Sequence, residues 1–303
     1  MINVLTYNIS WATQVNKIAG SESDFVEACQ TKYKKGGLEC NRSAIRNLSK
    51  VGPIHLLGLQ EVNSNIEPII QKYVPNITQY IDQEVTRDNY GSIIGKPPTS
   101  SVQTMWDPNV LGHLQHYTKC NLGDKKDIRM CFILHLKKND TNFIVINLHA
   151  PWAHNNKNGN KIQICSKIYN HLKTKAKSIQ NIMQQPDCKI ICMGDFNDPQ
   201  TRISKYRPLK LRVGKKEIRL SQQRNKTSLH KSLKTCCWHK VGFVGNFEGS
   251  KYGHFTDTGD YVLVNNNIKI MYIRVPKVYN SLSRNNTLFS DHKPVLATIN
   301  IFI

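Results

Sequence analysis

Short apolar runs separated by polar stretches set the rhythm of this chain. Residues 2–8 and 54–59 read as buried strands, the second ending at Gln60-Glu61. Residues 101–106 predict a strand before an Asp107-Pro108-Asn109 turn. The runs 131–136 and 142–149 flank Lys137-Lys138-Asn139-Asp140 and predict a hairpin. Further strands are expected over 189–195, 260–264, 269–275 and 294–303. Helical spacing appears over 42–51, through Ile45, Leu48 and Val51, and over 65–74, with Ser64 as a candidate cap. The clearest helix covers 161–183, where Ile162, Cys165, Ile168, Leu172, Ala176, Ile179 and Met183 recur at steps of three and four. Residues 12–43 are polar and irregular, and 77–118 give a mixed signal. Strands outnumber helices, and the helices fall between strand groups. Two sheets packed face to face with helices outside would bury these runs. No repeat or linker divides the chain, so 1–303 is expected to form a single domain.

Charge narrows the function classes. The chain carries 42 Lys and Arg against 21 Asp and Glu, a formal net charge of +21. Such a surplus favours a polyanionic partner: nucleic acid, an acidic membrane face or a phosphorylated small molecule. Residues 200–240 concentrate it, with thirteen basic side chains and Glu217 as the lone acid. That insertion reads either as a solvated loop or as a clamp for phosphates. No run reaches the roughly 18 apolar residues of a membrane span, and the N-terminal sequence lacks a leader pattern. An intracellular location, cytoplasmic or nuclear, is therefore expected. Nine cysteines cannot all pair within one chain. Cys131, Cys165, Cys188 and Cys192 sit beside apolar runs as buried thiols would, whereas Cys29, Cys40, Cys120, Cys236 and Cys237 fall in loop-like sequence. Cys236, Cys237 and His239 lack the second half of a zinc site.

Chemistry collects where the apolar runs end. Four words stand there: Leu59-Gln60-Glu61-Val62, Asn147-Leu148-His149-Ala150-Pro151, Gly194-Asp195-Phe196-Asn197 and Ser290-Asp291-His292-Lys293-Pro294. Hydrolysis of a phosphodiester needs an aligned water, neutralised phosphoryl oxygens and a stabilised leaving oxygen. A hard divalent cation on oxygen ligands serves the last two needs. Glu61 and Asp291 are natural ligands, with Asn8 adding a carboxamide. Asp195 and Asn197, two apart on an extended segment, would point to one side, although Gly-Asp-Phe-Asn alone also fits an Asx-turn. His149 and His292 offer imidazoles that bind phosphate or move a proton. The other nine histidines have no such setting and are expected to be structural or at the surface.

These words, joined by TYNI (6–9) and GDYVLV (259–264), resemble in kind and in order those of the endonuclease/exonuclease/phosphatase superfamily. That group includes pancreatic deoxyribonuclease, abasic-site endonucleases, sphingomyelinases and inositol-phosphate 5-phosphatases. The resemblance implies a four-layer α/β sandwich. It implies that Asn8 and Glu61 help bind Mg²⁺ or Mn²⁺, with Asp291 near the metal. It implies that His149 contacts the scissile phosphate and that Asp195, assisted by Asn197, orients or deprotonates the attacking water. Asp260 would hold the ring of His292, and Arg129 would bind phosphate. The acid that pairs with the first histidine in some members has no evident match, and the Trp-Cys-Asp-Arg word of the inositol phosphatases is absent. The expected function is a metal-dependent phosphodiesterase cleaving DNA or RNA, with endonuclease action favoured. The alternatives are a phosphatase or phospholipid phosphodiesterase of the inositol-phosphate or sphingomyelinase type, and a non-catalytic nucleic-acid-binding protein.

Overall fold

Residues 189–195 turn Ile191 and Met193 to one side and Ile190 and Cys192 to the other, and all four are buried. A strand buried on both faces needs a covering layer on each. The computed structural model describes residues 1–9, 38–62, 66–82, 102–124, 128–151, 161–197, 208–222, 259–276, 292 and 294–301. Their elements, in order, are β1 (Ile2–Asn8), α1 (Leu38–Ser49), β2 (Leu56–Gln60), α2 (Glu67–Tyr73), β3 (Gln79–Asp82), β4 (Val102–Trp106), α3 (Pro108–Leu111), β5 (His113–Asn121), β6 (Met130–Lys138), β7 (Thr141–His149), α4 (Lys161–Lys175), α5 (Lys177–Met183), β8 (Lys189–Asp195), β9 (Leu209–Val213), β10 (Lys216–Leu220), β11 (Asp260–Val264), β12 (Ile268–Arg274) and β13 (Val295–Ile301).

Eleven of these strands form two mixed sheets, and β9 and β10 pair by themselves. The first runs β12-β13-β1-β2-β4-β3, with β1 and β2 parallel. The second runs β11-β8-β7-β6-β5, with β7 and β8 parallel. Met193, Val262, Val145, Phe132 and Leu134 of the second sheet join Val4, Leu56 and Val295 of the first in one core. Gly58 permits the close approach of the sheets there, because a Cβ at that position would lie 2.7 Å from Met193 Cε. The outer face of the second sheet packs Cys131, Ile146 and Cys192 against Ile164, Ile168 and Leu172 of α4. The β9–β10 hairpin covers the same face through Leu209, Leu211, Val213, Ile218 and Leu220. Ile45 and Leu48 of α1 and Ile69 and Ile70 of α2 join the core that contains the first sheet. The expected α/β sandwich is therefore observed. No helix of the described residues is long and apolar enough to cross a membrane.

Several boundaries differ from those the sequence suggests. The helix expected over 161–183 is two helices, broken at Ala176, whose backbone leaves the helical region at φ −142° and ψ 52°; nothing in the neighbouring side chains explains the break. The N-cap of α2 is Ile66, without a capping side chain, and Ser64 lies outside the described residues. Asp107 closes its turn by accepting the Asn109 N–H at Oδ1, and the turn leads into α3. The sequence does not predict β3 and β5 in the mixed stretch, α3 after the turn, or the β9–β10 hairpin inside the basic insertion. Cys120 is accordingly not a loop thiol but a buried residue of β5, paired in register with Cys131, and Cys40 lies in α1. Burial pushes the Cys120 thiol up to about 11 and the Cys165 and Cys188 thiols up to about 12, which keeps them protonated and unreactive. Cys29, Cys236, Cys237 and His239 lie outside the described residues.

Candidate active site

Both parallel strand pairs end at the same rim. Asn8 lies beside Gln60 where β1 and β2 finish, and His149 lies beside Asp195 where β7 and β8 finish. Asp260, the first residue of β11, pairs with Asp195. His149, Asp195 and Asp260 therefore form a row across three neighbouring strands, with their side chains on one face. That face looks into the space between the sheets, since Asp195 shares the parity of Met193. The C-terminal ends of parallel strands are where open α/β folds place their ligands.

Strict alternation would send Glu61 to the opposite side from Gln60. Its φ of +57° breaks the alternation, and its carboxylate reaches the rim. Glu61 Oε1 and Asp195 Oδ2 both accept from Asn8 Nδ2, at 3.2 and 3.1 Å. His149 Nε2 stands 3.7 Å from each of those two carboxylate oxygens. His292 Nδ1 lies 2.9 Å from Asp260 Oδ2, and its Nε2 lies 3.6 Å from Asp195 Oδ2. Arg129, just before β6, donates from Nη1 to His149 Nε2 at 2.8 Å. A guanidinium only donates, so that nitrogen accepts and carries no proton in this arrangement.

The structure thus brings Asn8, Glu61, Arg129, His149, Asp195, Asp260 and His292 together within one pocket of polar groups. Asn8, His149, Asp195, Asp260 and His292 are 2% exposed or less, so the network is nearly dry. Asn197 is adjacent but not arranged as the extended segment implied. β8 stops at Asp195, and Asn197 takes φ +47°. Its backbone N–H donates to Asp195 Oδ1 at 2.8 Å, an Asx-turn contact, while its side chain donates to the Ala150 carbonyl, also at 2.8 Å. Asn197 therefore steadies the Asp195 carboxylate from the backbone. Asp291 lies outside the described residues.

Burial raises the Asp195 carboxyl to about 7; His292 and the hydrogen bonds from Asn8 and Asn197 oppose the shift, and Asp260 adds to it. A carboxyl that far up can take a proton near neutrality. The donor set also fits a hard divalent cation. Glu61 offers a carboxylate and Asn8 a carboxamide side by side, and added positive charge would offset the crowding of carboxylates. Asp195, Asp260 and His292 have donor atoms within 4.8 Å of one another. The short His292–Asp260 contact gives that trio the geometry of an oriented imidazole.

Behind the rim lies a buried network to which the sequence assigns no role, although Gln60 and Asn147 stand in two of the words. Gln60 Nε2 donates to Asn147 Oδ1 at 2.8 Å and to Thr6 Oγ1 at 3.1 Å. Asn147 Nδ2 donates to the Gln103 carbonyl at 2.9 Å and to Thr104 Oγ1 at 3.1 Å. This bridge joins the sheets directly below Glu61 and His149. Its signal in the sequence is the amide beside Glu61 in one word and the amide two residues before His149 in another.

No family model matches the chain, and no curated protein matches it in sequence. Solved structures do. Truncated TDP2 of Caenorhabditis elegans is 13% identical and has a TM-score of 0.58, covering 99% of this chain and 97% of its own. An endonuclease/exonuclease/phosphatase from Bacteroides vulgatus is 13% identical at 0.58, covering 99% of each chain. ANGEL2, described as a 2′,3′-cyclic phosphatase and solved with adenosine-2′,3′-vanadate, is 15% identical at 0.60, covering 99% and 95%. The chain has the fold of the endonuclease/exonuclease/phosphatase proteins.

Proposed function

We propose that this protein is a metal-dependent hydrolase of phosphate esters that cleaves phosphodiester bonds in nucleic acid, with endonuclease action on DNA or RNA as the specific reading. The observation that carries it is the meeting of Asn8, Glu61, His149, Asp195, Asp260 and His292 at one rim. The net charge of +21 supports a polyanionic substrate. Residues 1–303 would then act as one catalytic unit carrying 200–240 as an insertion.

Glu61 and Asn8 would hold Mg²⁺ or Mn²⁺, with Asp291 contributing. Such an ion would supply positive charge against the negative charge of the phosphoryl and leaving oxygens. Asp195 accepts the proton of the attacking water, whose oxygen forms the new bond to phosphorus as the leaving P–O bond breaks. Asn197 holds the Asp195 carboxylate in position from its backbone N–H. Asp260 orients the His292 ring, which donates to a phosphoryl or leaving oxygen from Nε2. His149 and Arg129 bind the scissile phosphate, the guanidinium turning from the imidazole to the anion.

The test is cleavage of plasmid DNA and of RNA with Mg²⁺. Asp195→Ala and His292→Ala are expected to lose about 10²–10⁴-fold in rate, as for removal of a positioned acid or base. Equal rates in all three proteins would refute the assignment. The likeness to ANGEL2 supports a second reading, a phosphatase acting on a cyclic or terminal phosphate. Release of phosphate from such ends, with plasmid and internal RNA bonds left intact, would select it.

A further inference from the structure

The described part of the basic insertion does not lie at the catalytic rim. The β9–β10 hairpin packs on the outer face of the second sheet, beside α4, whereas the row His149–Asp195–Asp260 faces inward. The hairpin turn abuts the end of α5: a Cβ on Gly214 would meet Gln184 Oε1 at 2.7 Å, and Lys216 Nζ donates to the Gln184 carbonyl. Gln184 precedes β8 at the end opposite Asp195. The length of β8, about 20 Å, therefore separates that turn from the rim.

Strand alternation buries the apolar side chains of the hairpin and leaves Lys210, Arg212 and Arg219 exposed. Lys210 and Arg219 are cross-strand partners that share Glu217, each at 3.4 Å, and Arg212 lies over the Tyr169 ring of α4. The adjoining helices add exposed Lys173, Lys175 and Lys177. Residues 161–183 contain five lysines and no acid, and 209–220 contain five Lys and Arg against Glu217 alone. The whole outer layer is thus a cationic plate.

We infer that this plate is a second nucleic-acid-binding surface, an exosite for the phosphate backbone separate from the catalytic rim. Nucleic acid is favoured over an anionic membrane by what the hairpin withholds. Leu209, Leu211, Val213, Ile218 and Leu220 all point inward, so its charged face offers no apolar side chains for lipid insertion. Ile162, at the start of α4, is the large apolar side chain exposed in this layer among the described residues. Paired guanidinium and ammonium groups on a rigid ladder suit phosphate oxygens. The inference goes beyond the catalytic proposal but rests on its substrate class. A strand reaching from the rim to the hairpin turn must span about 20 Å, or roughly six nucleotides of duplex rise.

The experiment compares wild type with Lys210→Gln/Arg212→Gln/Arg219→Gln and, independently, Lys173→Gln/Lys175→Gln/Lys177→Gln. Binding of a labelled 40-nucleotide DNA, a 40-nucleotide RNA and a tetranucleotide is measured by anisotropy in EDTA, across a salt series. Each triple variant is expected to bind at least one 40-mer about tenfold or more weakly at 0.1 M salt. The slope of log K against log[salt] should become shallower by ~0.7–0.9 for each phosphate that the variant no longer neutralises. Tetranucleotide binding should be unchanged, and with Mg²⁺ the loss should fall on KM for long substrates rather than on kcat. Unchanged affinity and slope in both triples would overturn the inference. So would an equal loss on the tetranucleotide, or loss of binding to phosphatidylserine vesicles with nucleic-acid binding intact. Because binding is read in EDTA, a wild type that binds but never cleaves would sink the catalytic proposal and leave the exosite standing.

Discussion

Glu61 and Asn197 both hold left-handed backbone conformations, and Gly194, in β8 beside Leu148 of β7, lies at φ +138°. Left-handed φ costs a non-glycine residue about 1–3 kcal/mol and persists only when its surroundings enforce it. At Glu61 the strain turns a carboxylate toward the rim that alternation would have turned away. Glu61→Asn is expected to recover about 1 kcal/mol of stability, since Asn tolerates that conformation, while cleavage falls at least ~10²-fold. Urea unfolding and a rate assay on the same preparation check both halves. Gly194 has the opposite logic. A Cβ there would sit 2.0 Å from the Leu148 carbonyl oxygen, so Gly194→Ala must push β7 from β8. A loss of at least ~2 kcal/mol is expected, together with a drop in kcat as Asp195 shifts from His292. Unaltered unfolding in that variant would contradict the tight backbone approach.

At the scale of elements, the site depends on two sheets holding their ends in register. The Gln60–Asn147 bridge crosses from β2 to β7, one residue before Glu61 and two before His149. Gln60→Leu removes the donor to the buried Asn147 Oδ1, and Asn147→Leu removes one acceptor of Gln60 Nε2 together with the donor to the Gln103 carbonyl, an expected cost of about 1–3 kcal/mol each. The double variant should cost less than the sum, with a coupling of roughly 0.5–3 kcal/mol, because neither amide is then stranded. Additive costs in a double-mutant cycle would show that the bridge is not a unit. This network also marks the limit of reading the sequence alone. The apolar runs announced β1, β2, β4, β6, β7, β8, β11, β12 and β13, because each is buried on at least one face and so carries a strong pattern. The ends of those runs supplied Glu61, His149, Asp195 and His292. β5 escaped notice because this edge strand is largely exposed and alternates weakly. The hairpin escaped notice although Leu209, Leu211 and Val213 alternate with charges, because its thirteen-cation neighbourhood dominated the composition. The Asn197 geometry could not be read, since two-residue spacing means the same side only while the strand continues.

Across the whole molecule, an excess of positive charge meets histidines that the fold holds neutral. Burial lowers the pKa of His55, His135 and His171; at His55 Asp107 opposes the shift and the N-terminus reinforces it. His55 Nδ1 accepts the Asn3 N–H at 2.9 Å, a bond that needs an unprotonated nitrogen. A histidine whose folded pKa is depressed binds its proton more readily in the unfolded chain. Its contribution is complete above the unfolded value near 6.5 and is lost as pH falls below it. Protonation also adds charge to a chain already at +21, so acid and low salt should weaken the fold together. Urea midpoints measured at pH 7.5, 6.0 and 5.0, each at low and at 0.5 M NaCl, test this. The midpoint should fall between pH 7.5 and 5.0, more steeply at low salt, and His55→Gln should flatten the fall while lowering the starting value at pH 7.5. A midpoint that rises on acidification would mean that the carboxyl-rich rim governs acid behaviour instead, since the raised Asp195 pKa makes that group favour the folded state as pH drops toward 7 and below. The two groups pull in opposite directions over the same window, and the sign of the slope decides between them.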